Sequence, residues 1–101
     1  MPRHKWSKPY HYSEYLSELD NPEIPEWEPV EELNVGKGSF SGAGQAWVVR
    51  DTANGMLCLQ SYATIVSMYV GGGEVRELGK WTRTTSRHQA AFRCWASRQA
   101  G

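Results

Sequence analysis

Ser86 and His88, near the C-terminus, are the residues whose side chains could together act as a nucleophile and its base. They stand two positions apart, and residues with that spacing do not share a face of a helix. We therefore expect Ser86 to cap a helix and His88 to be half-buried beside Phe92. The spacing predicts no catalytic site.

Metal and cofactor chemistry would need other clusters of residues. His88 and Cys94 are six positions apart on different helix faces, and Cys58 would be a third ligand without an obvious fourth. Four glycines between Gly36 and Gly44 match no phosphate-binding loop, because no helix follows them. The sequence therefore predicts no metal and no cofactor, and it predicts a loop at these glycines.

The charges of the chain are balanced in number but unevenly distributed. Lys plus Arg and Asp plus Glu both number 11, so net charge indicates no class of partner. Residues 14–32, however, include eight acids and no Lys or Arg. None of them has enough apolar neighbours to raise its pKa for acid-base catalysis. We expect a solvated, non-enzymatic surface formed by Glu14, Glu18, Asp20, Glu23, Glu26, Glu28, Glu31 and Glu32.

Residues 1–35 are predicted to form an N-terminal arm, separate from a domain of residues 36–101. A helix of one or two turns is expected after Ser13, which can serve as its N-cap. Prolines at 22, 25 and 29 prevent the helix from continuing. The rest of the arm is therefore expected to be extended.

This extended part, residues 22–32, is an acidic, proline-rich strap. Ile24, Trp27 and Val30 recur every three residues, as in polyproline II, and are expected to face one surface. That surface would contact either the chain's own core or a partner. The predicted partner-binding residues of the strap are Glu23, Glu26, Trp27, Glu28, Glu31 and Glu32.

Alternating apolar residues in the second part of the chain predict a sheet. Strands are expected at residues 45–50, at 56–70 as one bent strand or two short ones, and at 75–81 as an edge. Asn54-Gly55 and the glycines at 71–73 are expected to form the turns. This pattern predicts three or four antiparallel strands.

The last element is predicted to be a helix that begins near Thr85 or Ser86. His88, Phe92 and Trp95 recur at helical spacing and form one apolar face. A helix covering one face of a short antiparallel sheet gives an α+β fold. Because this pattern is complete after residue 45, we expect residues 45–98 to fold without residues 1–20.

Two short motifs in the second part of the chain resemble a known family. The segment Ser61-Tyr62-Ala63-Thr64-Ile65-Val66 (S-Y-x-T-x-V) and the helix start Thr84-Thr85-Ser86-Arg87-His88 resemble small proteins of bacteriophages and other mobile elements. The resemblance covers about residues 45–95 and implies fold and origin, with no activity assigned to the family. A structural role for the motifs would have Tyr62 and Thr64 hold the helix start through Thr85 and His88.

These observations predict a non-enzymatic, phage-type accessory protein that binds and inhibits a host protein or a protein and nucleic-acid complex. An anti-CRISPR-like inhibitor of host defence is the most concrete form of this hypothesis. The alternatives are an assembly protein that dimerises through a sheet edge and a nucleic-acid-binding module. The nucleic-acid-binding residues would be Arg83, Arg87, Arg93 and Arg98.

The sequence also predicts where the protein acts. Its longest uncharged stretch, residues 52–73, is interrupted by polar residues and glycines, and it matches neither a membrane span nor a secretory signal. We therefore expect a soluble protein in the cytoplasm of an infected or lysogenic bacterial cell.

Overall fold

The chain builds one antiparallel sheet with a long helix on one face and an N-terminal segment on the other. A computed structural model describes residues 5–38, 41–79 and 81–100. Residues 39 and 40 of the predicted glycine loop therefore lie outside the described part. The helices are α1 (Ser13–Ser17) and α2 (Arg83–Ala100), and the strands are β1 (Trp27–Glu32), β2 (Ala46–Asp51), β3 (Met56–Ser61), β4 (Thr64–Gly71) and β5 (Glu74–Glu77).

The five strands lie in the order β1-β2-β3-β4-β5, and each neighbouring pair is antiparallel. The predicted α+β class is therefore confirmed, and the predicted count of three or four strands is too low, since five are present among the described residues. The uncounted strand is β1, which occupies part of the predicted strap. Pro29 lacks an amide donor but is tolerated here because β1 is an edge strand, with a register shift between Pro29 and Glu31.

Two turns divide the central part of the chain, and the first is the one predicted at Asn54-Gly55. Asp51 to Gly55 connects β2 to β3, and Gly55 has a φ of 73°. Tyr62 and Ala63 connect β3 to β4, so residues 56–70 form two strands rather than one. Tyr62 has a φ of 55°, which is rare for a bulky side chain.

Helix α2 packs the predicted apolar face against the sheet, where His88, Phe92 and Trp95 are buried. It begins at Arg83, earlier than the predicted start at Thr85 or Ser86. The reason is local: the hydroxyl of Thr82 accepts a hydrogen bond from the Thr85 amide at 3.3 Å, so Thr82 caps the helix. The buried cluster on this side consists of Leu33, Val35, Ala46, Val48, Leu59, Val66, Phe92, Trp95 and Ala96.

The N-terminal segment covers the opposite face of the sheet. The His11 carbonyl accepts from the Ile65 amide at 2.8 Å, and Trp6 donates through Nε1 to Gln60 at 2.9 Å. Tyr15 of α1 is fully buried. The buried cluster there consists of Tyr15, Trp27, Trp47, Val49, Cys58, Ile65, Met68 and Leu78.

The expectation that residues 45–98 fold without residues 1–20 stays a prediction, and this packing bears on it. A sheet with apolar residues on both faces needs a cover on each, and residues 5–27 provide the second one.

The expectation that Ile24, Trp27 and Val30 share a surface is wrong. Trp27 is buried, whereas Ile24 is 84% exposed and Val30 40% exposed, because residues 27–30 follow the two-residue period of a strand.

Candidate functional site

The loop that connects α1 to β1 presents an apolar side chain to solvent between two acids. We call residues 20–26 the Ile24 loop. Ile24 is exposed over 84% of its surface, the most exposed of the large apolar side chains described. Glu23 and Glu26 on either side of it are also exposed.

Hydrogen bonds to the β2–β3 turn fix both ends of the exposed segment. At one end, the Glu23 amide donates to Asn54 Oδ1 at 2.8 Å, and Asn54 Nδ2 donates to the Glu23 carbonyl at 3.0 Å. At the other, the Glu26 amide donates to Asp51 Oδ1 at 3.1 Å, and the Thr52 amide donates to the Glu26 carbonyl at 2.8 Å. Ile24 is therefore held in a defined position.

Asp51 is the centre of this attachment. Its fully buried carboxylate accepts from the Tyr15 hydroxyl at 2.6 Å, from Asn54 Nδ2 at 2.6 Å, and from the amides of Glu26 and Ala53 at 3.1 and 3.0 Å. These bonds join the arm to the sheet. The turn sequence Asp-Thr-Ala-Asn-Gly indicated hydrogen bonds to backbone amides, since Asp and Asn side chains often bond amides nearby in the chain. The bonds to the arm are between residues distant in the sequence, and the sequence pattern did not predict them.

The ionisation of this cluster follows from its burial and its donors. Burial alone would raise the pKa of Asp51, but hydrogen bonds from Tyr15, Asn54 and the Glu26 amide outweigh it and lower the pKa. Burial raises the pKa of Tyr15, as does its bond to Asp51. Burial also raises the pKa of the Cys58 thiol. At neutral pH the cluster therefore holds one carboxylate among neutral groups.

The predicted strap residues do not share one exposed surface. Trp27 is buried against Tyr12 and Tyr15, with ring centroids 5.8 and 5.3 Å away, so it is not available to a partner. Glu32 is half-buried. Glu23 and Glu26 are the strap acids that flank Ile24.

The two strap acids that lie between Trp27 and Glu32 form contacts within the chain. Glu28 forms an ion pair of 3.1 Å with Arg50 of β2. Glu31 accepts from Trp95 Nε1 at 3.0 Å and so connects β1 to α2. Both carboxylates therefore have structural contacts within the fold.

The two sequence motifs meet at His88. Because the Ser41 carbonyl 2.7 Å from Nε2 can only accept, Nε2 carries the proton and Nδ1 accepts from the Ser61 hydroxyl at 2.8 Å. Ser61 also lies 3.2 Å from the Thr85 hydroxyl, and the Tyr62 ring stacks on His88 at 5.8 Å. The expected connection between strand and helix start is present, with Ser61 rather than Thr64 bonded to it.

This arrangement is a serine bonded to a histidine, which in an open cleft would support nucleophilic catalysis. Here Ser61 is 2% exposed and His88 fully buried. Burial lowers the pKa of His88, and this effect outweighs its hydrogen bonds to the backbone of Ser41 and Gly42, which act to raise the pKa. Gly42 has a φ of +60°, and a Cβ there would lie 2.7 Å from His88 Nε2. The cluster is therefore tightly packed and connects α2 to β3. Ser86, the candidate nucleophile of the sequence analysis, is exposed and lies outside the cluster.

The four arginines of α2 are all exposed, and they lie on two different parts of the helix surface. Arg93 forms an ion pair with Glu77 of β5. Arg83, Arg87 and Arg98 are exposed and lie on the helix face opposite the core. Within the described ranges, no group of three or more His, Cys, Asp or Glu side chains is arranged to hold a metal ion.

The fold and these clusters define a small α+β protein whose sheet is covered on both faces. Residues 31–99 match a family of unknown function, DUF8033, and since the match spans well over half of the chain, the chain belongs to this family. No curated protein and no solved structure gave a significant match. Among the described residues, no helix is both long and apolar enough to span a membrane. The Ile24 loop lies outside the matched segment.

Proposed function

We propose that the chain is a non-enzymatic binding protein that docks on a partner protein through the Ile24 loop. The observation that supports this proposal is an exposed isoleucine on a segment whose backbone is fixed at both ends by Asn54, Asp51 and Thr52. A pre-ordered segment loses little conformational entropy when it binds. Ile24 would fill an apolar pocket of the partner.

The acids around Ile24 define the charge of the partner surface. Glu23 and Glu26 flank the isoleucine, and the exposed Asp20 lies at the start of the same loop. Basic residues around the partner's pocket would complement these carboxylates, with an effect on association rate and specificity more than on affinity. The partner is therefore a protein with an apolar pocket that has a basic rim.

A non-enzymatic function agrees with the placement of the reactive side chains. Ser61, His88, Asp51 and Cys58 have the chemistry of catalytic groups, yet each is at most 2% exposed. The bonds of Ser61, His88 and Asp51 join parts of the chain to one another. These groups stabilise the fold instead of contacting a substrate.

An anti-CRISPR-like inhibitor of host defence remains the most concrete form of this proposal. Such inhibitors have a similar size, and the resemblance of the two motifs to bacteriophage and mobile-element proteins implies the same kind of origin. The host protein, alone or within a nucleic-acid complex, would be bound in the cytoplasm of an infected or lysogenic bacterial cell. This part of the proposal is an analogy at the level of protein class.

The test replaces Ile24 and compares it with a matched exposed position. In nuclease-treated bacterial lysate, we expect the Ile24→Asp variant to lose a protein that the wild type captures. The Val30→Asp variant should retain it, since Val30 is also an exposed apolar residue but lies in β1. Purified partner should then bind Ile24→Asp at least about tenfold more weakly, since burying an isoleucine contributes about 1.5 to 3 kcal/mol.

Two outcomes would contradict the proposal. One is equal capture by Ile24→Asp and wild type, and the other is equal loss by both variants. Thermal melting of each variant supplies the folding control, because neither side chain is buried.

The glutamates give a second test with their own control pair. Replacing Glu23 and Glu26 by Gln should weaken partner binding and reduce its dependence on salt, because exposed charges are screened. The Glu28→Gln, Glu31→Gln variant has the same net charge but changes the contacts to Arg50 and Trp95. We expect this control to lower thermal stability and to leave partner binding close to that of the wild type. Equal weakening in both pairs would assign the effect to net charge alone.

A further inference from the structure

The solvent-facing side of α2 carries a line of arginines. Arg83, Arg87, Cys94 and Arg98 are separated by four, seven and four positions, a spacing that places them on one face of a helix. All four are exposed. At 1.5 Å of rise per residue, Arg87 and Arg98 stand about 16 Å apart along the axis.

The charge of this face is of one sign. Among its 18 residues, α2 contains four arginines and no Asp or Glu, and Arg93, which pairs with Glu77, lies away from the line. Cations near the last turn are expected from the helix dipole, which explains Arg98. The dipole does not explain Arg87, one turn after the start of the helix, where a positive charge is unfavourable. This arrangement favours an anionic ligand along the helix.

An aromatic residue precedes the helix that carries this line. Trp81 precedes α2 and is 38% exposed. Its Nε1 donates to the Leu78 carbonyl, and its ring lies beside Gly79, where a Cβ would be 3.5 Å away. The ring is therefore held in one orientation while part of it faces solvent, as a platform for a stacked base requires.

We propose that the outer face of α2, with Trp81 at its start, binds single-stranded nucleic acid. Arg87 and Arg98 contact the phosphates, and a base stacks on Trp81. Guanidinium groups bind phosphates in a bidentate manner, and aromatic stacking tolerates any base. The recognition is consequently electrostatic and largely independent of sequence.

This surface goes beyond the proposed protein-docking function and lies on the other side of the molecule. The arm that leads into the Ile24 loop covers one face of the sheet, and α2 covers the opposite face. Acidic and basic surfaces are therefore separated by the sheet, and each can be removed by substitution without touching the other. A failure of one proposal leaves the other unaffected.

The test measures binding of the full-length protein to a labelled 20-nucleotide oligo-dT by fluorescence anisotropy over a range of salt concentrations. The Arg87→Gln, Arg98→Gln variant should bind at least about fivefold more weakly at low salt. Its plot of log affinity against log salt should be shallower by about 1.4, since each single-strand phosphate contact contributes about 0.7 to the slope. The matched control is Arg50→Gln, Arg76→Gln, which removes the same charge from arginines paired with Glu28 and Glu18 and should keep the wild-type slope.

Trp81→Ala supplies a separate readout. It should weaken oligo-dT binding while leaving the salt slope unchanged, because stacking involves no counterion release. The proposal would be overturned by the absence of oligo-dT binding at low salt, by equal loss in the control variant, or by tighter binding of duplex DNA than of the single strand. It would also be overturned if the arginine variant lost a protein from nuclease-treated lysate while oligo-dT binding stayed unchanged.

Discussion

Replacing Trp95 by Ala should unfold the protein or lower its melting temperature by about 12 °C or more. Truncating a buried tryptophan costs about 3 to 5 kcal/mol, out of a total stability of about 5 to 15 kcal/mol, and each kcal/mol shifts the melting temperature of a domain this size by about 4 to 8 °C. Trp95 is 3% exposed, stacks on Phe92 at 5.4 Å and meets Tyr69 edge-on at 5.8 Å. Circular dichroism during thermal melting measures the effect.

Trp81→Ala is the control for this substitution. Both variants lose an indole, but Trp81 is 38% exposed, so its removal should lower the unfolding free energy by clearly less than the removal of the buried Trp95 does. Glu31→Ala removes the acceptor of the Trp95 hydrogen bond and leaves the ring in place, so it separates the packing of Trp95 from its bond to β1. A cooperative melt of Trp95→Ala within a few degrees of the wild type would show that the buried face of α2 is misassigned.

The buried face of α2 could be predicted from the sequence because a helix determines by its period which residues share a face. The prediction that His88, Phe92 and Trp95 share this face required no information about residues distant in the sequence. The β2–β3 hairpin was predictable for the same reason, since Asn54-Gly55 is a local turn signal. Local geometry was sufficient for these elements.

Strand β1 was missed because its pairing with β2 is not local. Trp27 pairs with Asp51 and Glu32 with Trp47, at separations over which a sequence pattern gives no register. The prolines that indicated a strap are compatible with an edge strand. The cover that residues 5–27 give the second sheet face was missed for a related reason, because Tyr15 and Trp6 bond to partners at distant positions.

The candidate sites, too, could be predicted from the sequence only in part. The acids and arginines were visible in the sequence as charges, but their contacts within the fold were not. Glu23, Glu31, Arg87 and Arg93 are all exposed, yet Glu31 bonds to Trp95 and Arg93 pairs with Glu77. Ile24 was expected to share a surface with Trp27, and only the tertiary bonds of Asn54 and Asp51 show that it is held outward.

The second large effect is expected at Asp51. Replacing it by Ala removes an anionic acceptor from the Tyr15 hydroxyl, the Asn54 side-chain amide and the backbone amides of Glu26, Ala53 and Asn54. Hydrogen bonds to a charged group contribute about 1.5 to 3 kcal/mol each, and a buried donor left without a partner adds to the loss. We therefore expect a loss of about 3 kcal/mol or more in unfolding free energy, measured by urea denaturation. Asp20→Ala, an exposed aspartate of the Ile24 loop, should change it by less than about 0.5 kcal/mol.

The pH dependence tests whether the charge of Asp51 is the cause. Its pKa is lower in the folded chain than the value of about 3.9 in an unfolded one. The carboxylate therefore stabilises the fold fully above pH 4 or so, and this contribution is lost as pH falls through the folded pKa. His88, whose pKa is also lowered by burial, destabilises the fold as pH drops below about 6.5, but it does so equally in the wild type and in Asp51→Asn.

The difference in stability between wild type and Asp51→Asn consequently isolates the carboxylate. It should be constant from pH 5 to pH 8 and shrink below about pH 4, where Asp51 of the unfolded chain takes up a proton while the folded chain still holds the charge. A difference that persists unchanged to pH 2.5 would show that Asp51→Asn destabilises the fold because the new side chain cannot accept the same hydrogen bonds. The charge of Asp51 would then contribute little. Because Asp51 also fixes Glu26, loss of the charge should release one end of the Ile24 loop, so partner binding should weaken in acid together with the fold.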